Sequence, residues 1–92
     1  MKLEFDPAKS AKNARERGLP FELVDGVAWE TSYTEEDARL PYSELRLVTY
    51  GLIGLRVRVV CYTPIQGGIR IISFRKANAR EVRKYEENKA AH

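Results

Sequence analysis

The last third of the chain carries arginines within a stretch whose other residues are typical of a core strand. This stretch, IRIISFRKANAREVRKYEEN, spans residues 69–88 and places Arg70 and Arg75 among isoleucine and phenylalanine residues. Guanidinium groups bind phosphate oxygens through two parallel hydrogen bonds, and they stabilise negative charge that develops on a phosphate. Binding or transfer of a phosphodiester is therefore the first chemistry that this stretch suggests.

The spacing of these two arginines sets a condition on that chemistry. Arg70 and Arg75 are five positions apart, and in a regular strand two such side chains point to opposite sides of the sheet. A bulge between them is required if both serve one site. The alternative is that each one lies on a solvated side of the sheet or at a strand end.

Further arginines and aromatic residues favour RNA over other phosphate-containing partners. Arg46, Arg56 and Arg58 lie on neighbouring predicted strands, and Arg80 follows in a helix. The accompanying aromatic residues are Tyr50, Tyr62, Phe74 and Tyr85. Flat rings stack on unpaired bases while arginines bind the backbone. Packing explains any one tyrosine more readily than base stacking does, and Phe74 fits the core.

Composition excludes several kinds of active site. The only histidine is the last residue, His92, and the only cysteine is Cys61, within the apolar run VRVVCY. This excludes an internal disulfide, a histidine acid–base pair and the usual Cys/His zinc site. We expect no metal and no cofactor, and we expect Cys61 to be a buried, inert thiol.

Charge is distributed unevenly along the 92-residue chain. The net charge is +3 and the pI about 9.2, but residues 70–84 are rich in cations whereas residues 22–44 contain seven carboxylates. A basic patch on a small protein is typical of one that binds a polyanion. No apolar run is long enough to cross a bilayer and no signal peptide is evident, so we expect a cytoplasmic protein with no membrane partner.

The N-terminal half predicts a strand and two helices. Residues 2–5 form a short strand, after which Asp6 and Pro7 begin a helix that ends before Gly18. A second short helix covers residues 20–29, where apolar residues recur at helical spacing. Residues 30–43 are polar and acidic and read as a loop, with a short strand possible at its start.

Alternating patterns predict three strands over residues 44–52, 55–63 and 69–76, joined by short turns into an antiparallel meander. Asn78 and Glu81 then resemble a capping box that begins a helix over residues 78–91. The order predicts a single α+β domain over residues 1–92, with a curved antiparallel sheet packed against two N-terminal helices and one C-terminal helix.

Four segments of the chain together resemble the BrnT family of type II toxins. They are FDPAKSAKNARERG, PFELVDGV, SELRLVTYG and IRIISFRKANAREVRKYEE, in order and at consistent spacing. The family pattern includes a tryptophan before the aspartate and a lysine–histidine pair before the glycine. Here Phe5 precedes Asp6, and Glu16 and Arg17 precede Gly18.

This resemblance implies a RelE-like fold, a ribonuclease activity that inhibits translation and a cognate BrnA-like antitoxin. It also implies that operator DNA is bound only through the toxin–antitoxin complex. RelE-like active sites typically use arginine, lysine, glutamate and tyrosine, in agreement with the lack of an internal histidine. Arg70 and Arg75 would hold the phosphate, while Lys9, Arg46 or Glu44 would activate the 2′-hydroxyl or Tyr85 would assist the leaving group.

The predicted catalytic residues are Arg70, Arg75, Arg46, Lys9, Glu44 and Tyr85. The predicted RNA-binding residues are Arg80, Lys76, Asn13, Arg17 and Tyr62. A second hypothesis is a protein-interaction module that binds an antitoxin-like partner through its basic surface without catalysis. Arginine-to-alanine substitutions separate the two, because only the enzyme loses RNA cleavage while retaining partner binding.

Overall fold

The computed structural model describes residues 1–90, so the terminal His92 lies outside the described residues. Within this range no helix is long and apolar enough to cross a membrane. The strands are β1 (Lys2–Glu4), β2 (Tyr33–Glu36), β3 (Leu47–Ile53), β4 (Arg56–Ile65) and β5 (Gly68–Lys76). The α-helices are α1 (Pro7–Arg17) and α2 (Ala79–Asn88), and 3₁₀ segments span Phe21–Gly26 and Trp29–Thr31.

The strands form one five-stranded sheet in the order β1-β5-β4-β3-β2. The three long strands and β2 are antiparallel neighbours, as the meander predicts, whereas β1 pairs parallel to β5. The α+β class is thus confirmed, but the expected antiparallel sheet is instead mixed, because β1 is parallel to its neighbour. Parallel pairing needs a long connection between the two strands, and here most of the chain separates them.

Local capping explains where both α-helices begin. The side chain of Asp6 accepts a hydrogen bond from the Ala8 amide, and Gly18 ends α1 in the left-handed conformation at φ 69°. A complete capping box between Asn78 and Glu81 begins α2. The predicted helix over residues 20–29 is instead the two 3₁₀ segments, since Gly26 and the short length disfavour continuous α-helix.

Each side of the sheet is covered by a different part of the chain. On the α1 side, residues from β4 and β5 pack against the chain after α1, with Val60, Phe74, Phe21 and Val24 at 0–3 % exposure. On the α2 side, Tyr50, Val57 and Val59 pack with Tyr85 of α2. Side chains therefore alternate between two cores along each central strand.

One β-bulge interrupts this alternation in β5. Cys61 pairs with Ser73, but the next residue of β4, Tyr62, pairs with Ile71, so Ile72 is the extra residue. A bulge of this kind changes which side of the sheet the following side chains reach. Here it has a direct consequence for the two strand arginines.

Candidate anion-binding site

The bulge at Ile72 places Arg70 and Arg75 on the same side of the sheet. Arg75 pairs with Val59 and Arg70 pairs with Thr63, and both of these β4 residues share the α2 side because they are separated by an even number of positions. Val59 and Thr63 are four residues apart on β4, which corresponds to about 13 Å. Arg70 and Arg75 can therefore contribute to one surface, with one arginine at each end of it.

Arg70 is surrounded by carboxylates at its end of the surface. Its Nε donates to Oε1 of Glu4 at 2.8 Å, and its side chain lies 3.5 Å from Oε2 of Glu44. The hydroxyl of Thr63 donates to the other oxygen of Glu44 at 3.3 Å. Glu44 therefore lies beside Arg70, while the hydrogen bond from Arg70 lowers the pKa of Glu4.

Two further cations flank Arg70. Lys9 of α1 lines a shallow pocket with Arg70, Glu4, Asp6 and neighbouring apolar residues. Arg46 lies on the other flank. It directly precedes Leu47, which pairs with Tyr62, so Arg46 lies close to Thr63 in the sheet. The structure thus gathers the predicted residues Arg70, Arg46, Lys9 and Glu44 at one end of the sheet.

The guanidinium of Arg46 is held over an aromatic ring. Its Cζ lies 3.9 Å from the centroid of the Tyr42 ring, while its buried Nε has no hydrogen-bond partner among residues 1–90. A guanidinium packed flat on a ring is held in place and still presents its outer nitrogens. Tyr42 accordingly orients the guanidinium of Arg46.

At the opposite end of this surface, Arg75 forms a bidentate ion pair with Glu81. Its NH1 and NH2 donate to the two oxygens of Glu81 at 2.7 and 2.8 Å. The hydrogen bond from Arg75 lowers the pKa of Glu81, which also accepts from the Asn78 amide. The expectation that Glu81 is a cap residue is confirmed, and its bond to Arg75 is additional.

A pocket of about 330 Å³ opens beside Arg75 on the α2 side. Its lining combines side chains of the central strands with residues that form ion pairs. It is lined by Glu35, Glu36, Asp37, Ala38, Arg39, Val48, Tyr50, Val59, Cys61, Ser73, Arg75 and Glu81. Its size is in the range of small-ligand pockets.

The carboxylate of Glu35 is a polar centre that the sequence analysis missed. It accepts from Lys84 at 2.6 Å and from the hydroxyls of Tyr50 and Tyr33, each at 3.1 Å. The hydrogen bond from Lys84 lowers the pKa of Glu35, whereas burial raises the pKa of Tyr50. The sequence analysis placed Glu35 in an acidic loop. It could not predict this network, because the network forms only where β2 pairs with β3.

Cys61 is buried, as expected, and burial raises the pKa of its thiol. Its thiol donates to Asp37 at 3.9 Å, and the Asp37 carboxylate is held by two 2.8 Å hydrogen bonds from Arg39. A neighbouring carboxylate further disfavours a thiolate. Among the described residues 1–90, no cluster of three or more His, Cys, Asp or Glu side chains suits a metal ion.

Three predicted site residues are buried or hydrogen-bonded within the fold. Tyr62 is 6 % exposed on the α1 side, where its ring meets Trp29 edge-on, so it offers no surface for base stacking. Tyr85 is 1 % exposed in the core under α2, so its side chain has little access to a substrate. Asn13 donates its amide hydrogens to the carbonyls of Leu19 and Phe74, so only its side-chain oxygen remains for the predicted contact with RNA.

The other predicted RNA-binding residues remain at the surface. Arg17 and Lys76 line a shallow pocket together with Arg75 and Glu16. The Arg17 side chain also donates to the Phe74 carbonyl at 3.4 Å. Arg80 lies exposed in the first turn of α2. Arg17 and Lys76 thus extend the cationic surface beyond Arg75.

These features define a small α+β protein with two arginines displayed on one side of a mixed sheet. A family model described as "ribonuclease toxin, BrnT, of type II toxin-antitoxin system" matches residues 5–81. Because this match covers most of the chain, the protein belongs to the BrnT family of ribonuclease toxins, and the resemblance is confirmed. No curated protein matches the chain.

Proposed function

We propose that this protein is a metal-independent endoribonuclease that inhibits translation by cleaving RNA in the cytoplasm, as one RelE-like domain over residues 1–92. The observation that carries the proposal is the bulge at Ile72, which brings Arg70 and Arg75 onto one side of the sheet. Two arginines held on one side of a rigid strand, about 13 Å apart, suit a negatively charged backbone. Membership of a ribonuclease toxin family supports RNA as that backbone.

The proposed reaction is attack of a 2′-hydroxyl on the adjacent phosphate. The 2′-oxygen forms a new bond to phosphorus while the bond to the 5′-oxygen breaks, giving a cyclic phosphate and a free 5′-hydroxyl. Glu44 is an accessible carboxylate beside Arg70, with 44 % of its side chain exposed, and takes the proton of the 2′-hydroxyl. Lys9, in the pocket beside Arg70, returns a proton to the leaving oxygen.

The remaining cations hold the RNA and stabilise the transition state. Arg70 and Arg46 lie near the reacting phosphate, where their charges offset the negative charge that develops on its oxygens. Arg75 holds the next part of the RNA strand. Arg17, Lys76 and Arg80 lie at the same end of the surface and add to its positive charge. Arg75 and Arg70 lie about 13 Å apart along β4, so they contact different parts of one RNA strand.

The proposed partners follow from the family. A BrnA-like antitoxin neutralises the protein, and operator DNA is bound only through the complex of the two. A specific observation also favours the alternative of a non-catalytic interaction module: both strand arginines already carry carboxylate partners from this chain. On that reading the basic surface binds the antitoxin alone.

Cleavage of a labelled single-stranded RNA in the presence of EDTA tests the proposal. We expect the wild type to cleave and Arg70→Ala/Arg75→Ala not to cleave. Arg15→Ala/Arg56→Ala is the matched control, because it removes two exposed arginines elsewhere and should leave cleavage intact. Absence of cleavage by folded wild type, with antitoxin binding that depends on Arg70 and Arg75, would establish the interaction module instead.

A further inference from the structure

We propose that Glu4 occupies, in the free protein, the position at Arg70 that an RNA phosphate takes in the complex. Glu4 thereby weakens the binding of RNA at this end of the surface and makes it depend on the contacts at Arg75. This inference rests on the proposed function, since it names a residue that tunes RNA binding at the same site.

The pairing of β1 with β5 creates this arrangement. Glu4 lies directly opposite Arg70 in the parallel register, and its Oε1 accepts from Arg70 Nε at 2.8 Å. The edge of a guanidinium that carries Nε is one of those that bind phosphate oxygens in pairs. A carboxylate already occupies this edge, so a phosphate and Glu4 compete for it.

The ion pair is easily displaced because it is open to solvent. The side chains of Arg70 and Glu4 are 45 % and 42 % exposed, and such surface pairs contribute little to stability. The pair between Arg75 and Glu81 differs, since Glu81 is only 15 % exposed and also caps α2. A phosphate can therefore replace Glu4 at small cost, whereas Glu81 stays in place.

Local charge supports the same conclusion. Around Arg70, the charges of Arg70, Lys9 and Arg46 are balanced by the three carboxylates of Glu4, Glu44 and Asp6, although the whole chain has a net charge of +3. This end of the surface therefore attracts a polyanion only weakly until a carboxylate moves away. Release of counterions by a bound strand supplies the driving force for that exchange.

Binding of a fluorescent, single-stranded 2′-O-methyl RNA tests the proposal without cleavage, because this RNA lacks the attacking hydroxyl. We expect Glu4→Gln to bind about two- to fivefold more tightly than the wild type at low salt. Salt should reduce the difference by screening. Glu86→Gln is the matched control: it removes one carboxylate from an equally exposed pair with Lys89 and should leave affinity unchanged.

A double-mutant cycle with Arg70→Gln makes the test specific. In the Arg70→Gln background, Glu4→Gln should no longer tighten binding, because the shared partner is absent. Equal tightening by Glu4→Gln and Glu86→Gln, or tightening that survives without Arg70, would overturn the proposal in favour of a general charge effect. Weaker binding by Glu4→Gln would show that Glu4 positions Arg70 instead.

The outcome is independent of the ribonuclease assay. RNA cleavage by the wild type with no tightening in Glu4→Gln rejects the role of Glu4 and leaves the enzyme in place. Tightening of RNA binding by Glu4→Gln in a protein that does not cleave RNA retains Glu4 as a competitor at Arg70 and rejects the enzyme.

Discussion

Arg75 and Glu81 are joined by two parallel hydrogen bonds, 2.7 and 2.8 Å long, that connect the end of β5 to the first turn of α2. The same carboxylate accepts from the Asn78 amide at 3.0 Å, completing the capping box. One side chain thus fixes the start of α2 relative to an arginine of the proposed site. Replacement of Glu81 should therefore destabilise both the first turn of α2 and the position of the Arg75 side chain.

This relationship predicts how stability depends on pH. The pKa of Glu81 is lowered by Arg75 and that of Glu35 by Lys84, so both carboxylates hold protons more weakly in the folded chain than in the unfolded one. Their contribution is therefore present above the ordinary pKa of 4.5 and is lost as the pH falls through their folded values. Urea denaturation should show the wild type losing stability below about pH 4.5.

Glu81→Gln should be less stable than the wild type at pH 7, by about 1 to 2 kcal/mol, and should lose less on acidification. Glu86→Gln removes a carboxylate from an exposed pair on the same helix and serves as the control. Its stability should match that of the wild type at pH 7 and also after acidification. Equal losses by the two variants on acidification would contradict the role given to Glu81.

Tyr85 should behave as a core residue rather than a catalyst. Its ring is 1 % exposed and packs with Tyr50, Val57 and Val59. We expect Tyr85→Ala to cost about 3 to 5 kcal/mol of unfolding free energy, whereas Tyr85→Phe keeps the ring. RNA cleavage by folded Tyr85→Phe should equal that of the wild type. A strong loss of cleavage at unchanged stability would restore the predicted role of its hydroxyl.

Elements governed by neighbouring residues were predictable from the sequence. The α-helix after Asp6, the capping box at Asn78 and the three alternating strands each depend on contacts or periodicity within a few residues. The resemblance to one family also rests on local motifs. Glu81 was assigned as a cap for the same reason, and its bond to Arg75 also lies only six residues away.

Features that depend on distant parts of the chain were not predictable. The bulge at Ile72 exists only in the pairing of β5 with β4, and the parallel pairing of β1 depends on a strand that follows more than sixty residues later. The partners of Glu4, Glu35 and Asn13 are likewise set by tertiary contacts. Sequence motifs alone could not separate Asn13, which holds the fold together, from residues that face solvent.

Asn13 should contribute to stability and only indirectly to activity. Its Nδ2 donates to the carbonyls of Leu19 and Phe74 at 2.7 and 2.9 Å, which ties α1 to both β5 and the chain that follows the helix. Asn13→Ala leaves both carbonyls without this donor and should cost about 1 to 3 kcal/mol by urea denaturation.

The control for this change is Asn88→Ala, since Asn88 makes one exposed hydrogen bond to the Lys84 carbonyl. Its effect on unfolding should stay within about 0.5 kcal/mol. RNA affinity measured on folded Asn13→Ala should equal that of the wild type. A specific loss of affinity, with stability unchanged, would return Asn13 to the RNA-binding surface.

Gly68 should be required for the parallel pairing that brings Glu4 to Arg70. A Cβ at this position would overlap the backbone carbonyl of Lys2, which belongs to the strand and cannot rotate away as a side chain would. Gly68→Ala should therefore displace β1, at a cost of about 1 to 3 kcal/mol. Amide hydrogen exchange should show faster exchange at Lys2, whose amide donates to the Gly67 carbonyl at 2.9 Å.

Gly26→Ala is the matched control, because a Cβ there meets no atom within 4 Å. It should leave both stability and exchange in β1 close to the wild type. Displacement of β1 also removes Glu4 from Arg70, so Gly68→Ala should bind the 2′-O-methyl RNA more tightly, in the same direction as Glu4→Gln. Faster exchange at Lys2 without tighter binding would mean that Glu4 does not compete with RNA, even though β1 depends on Gly68.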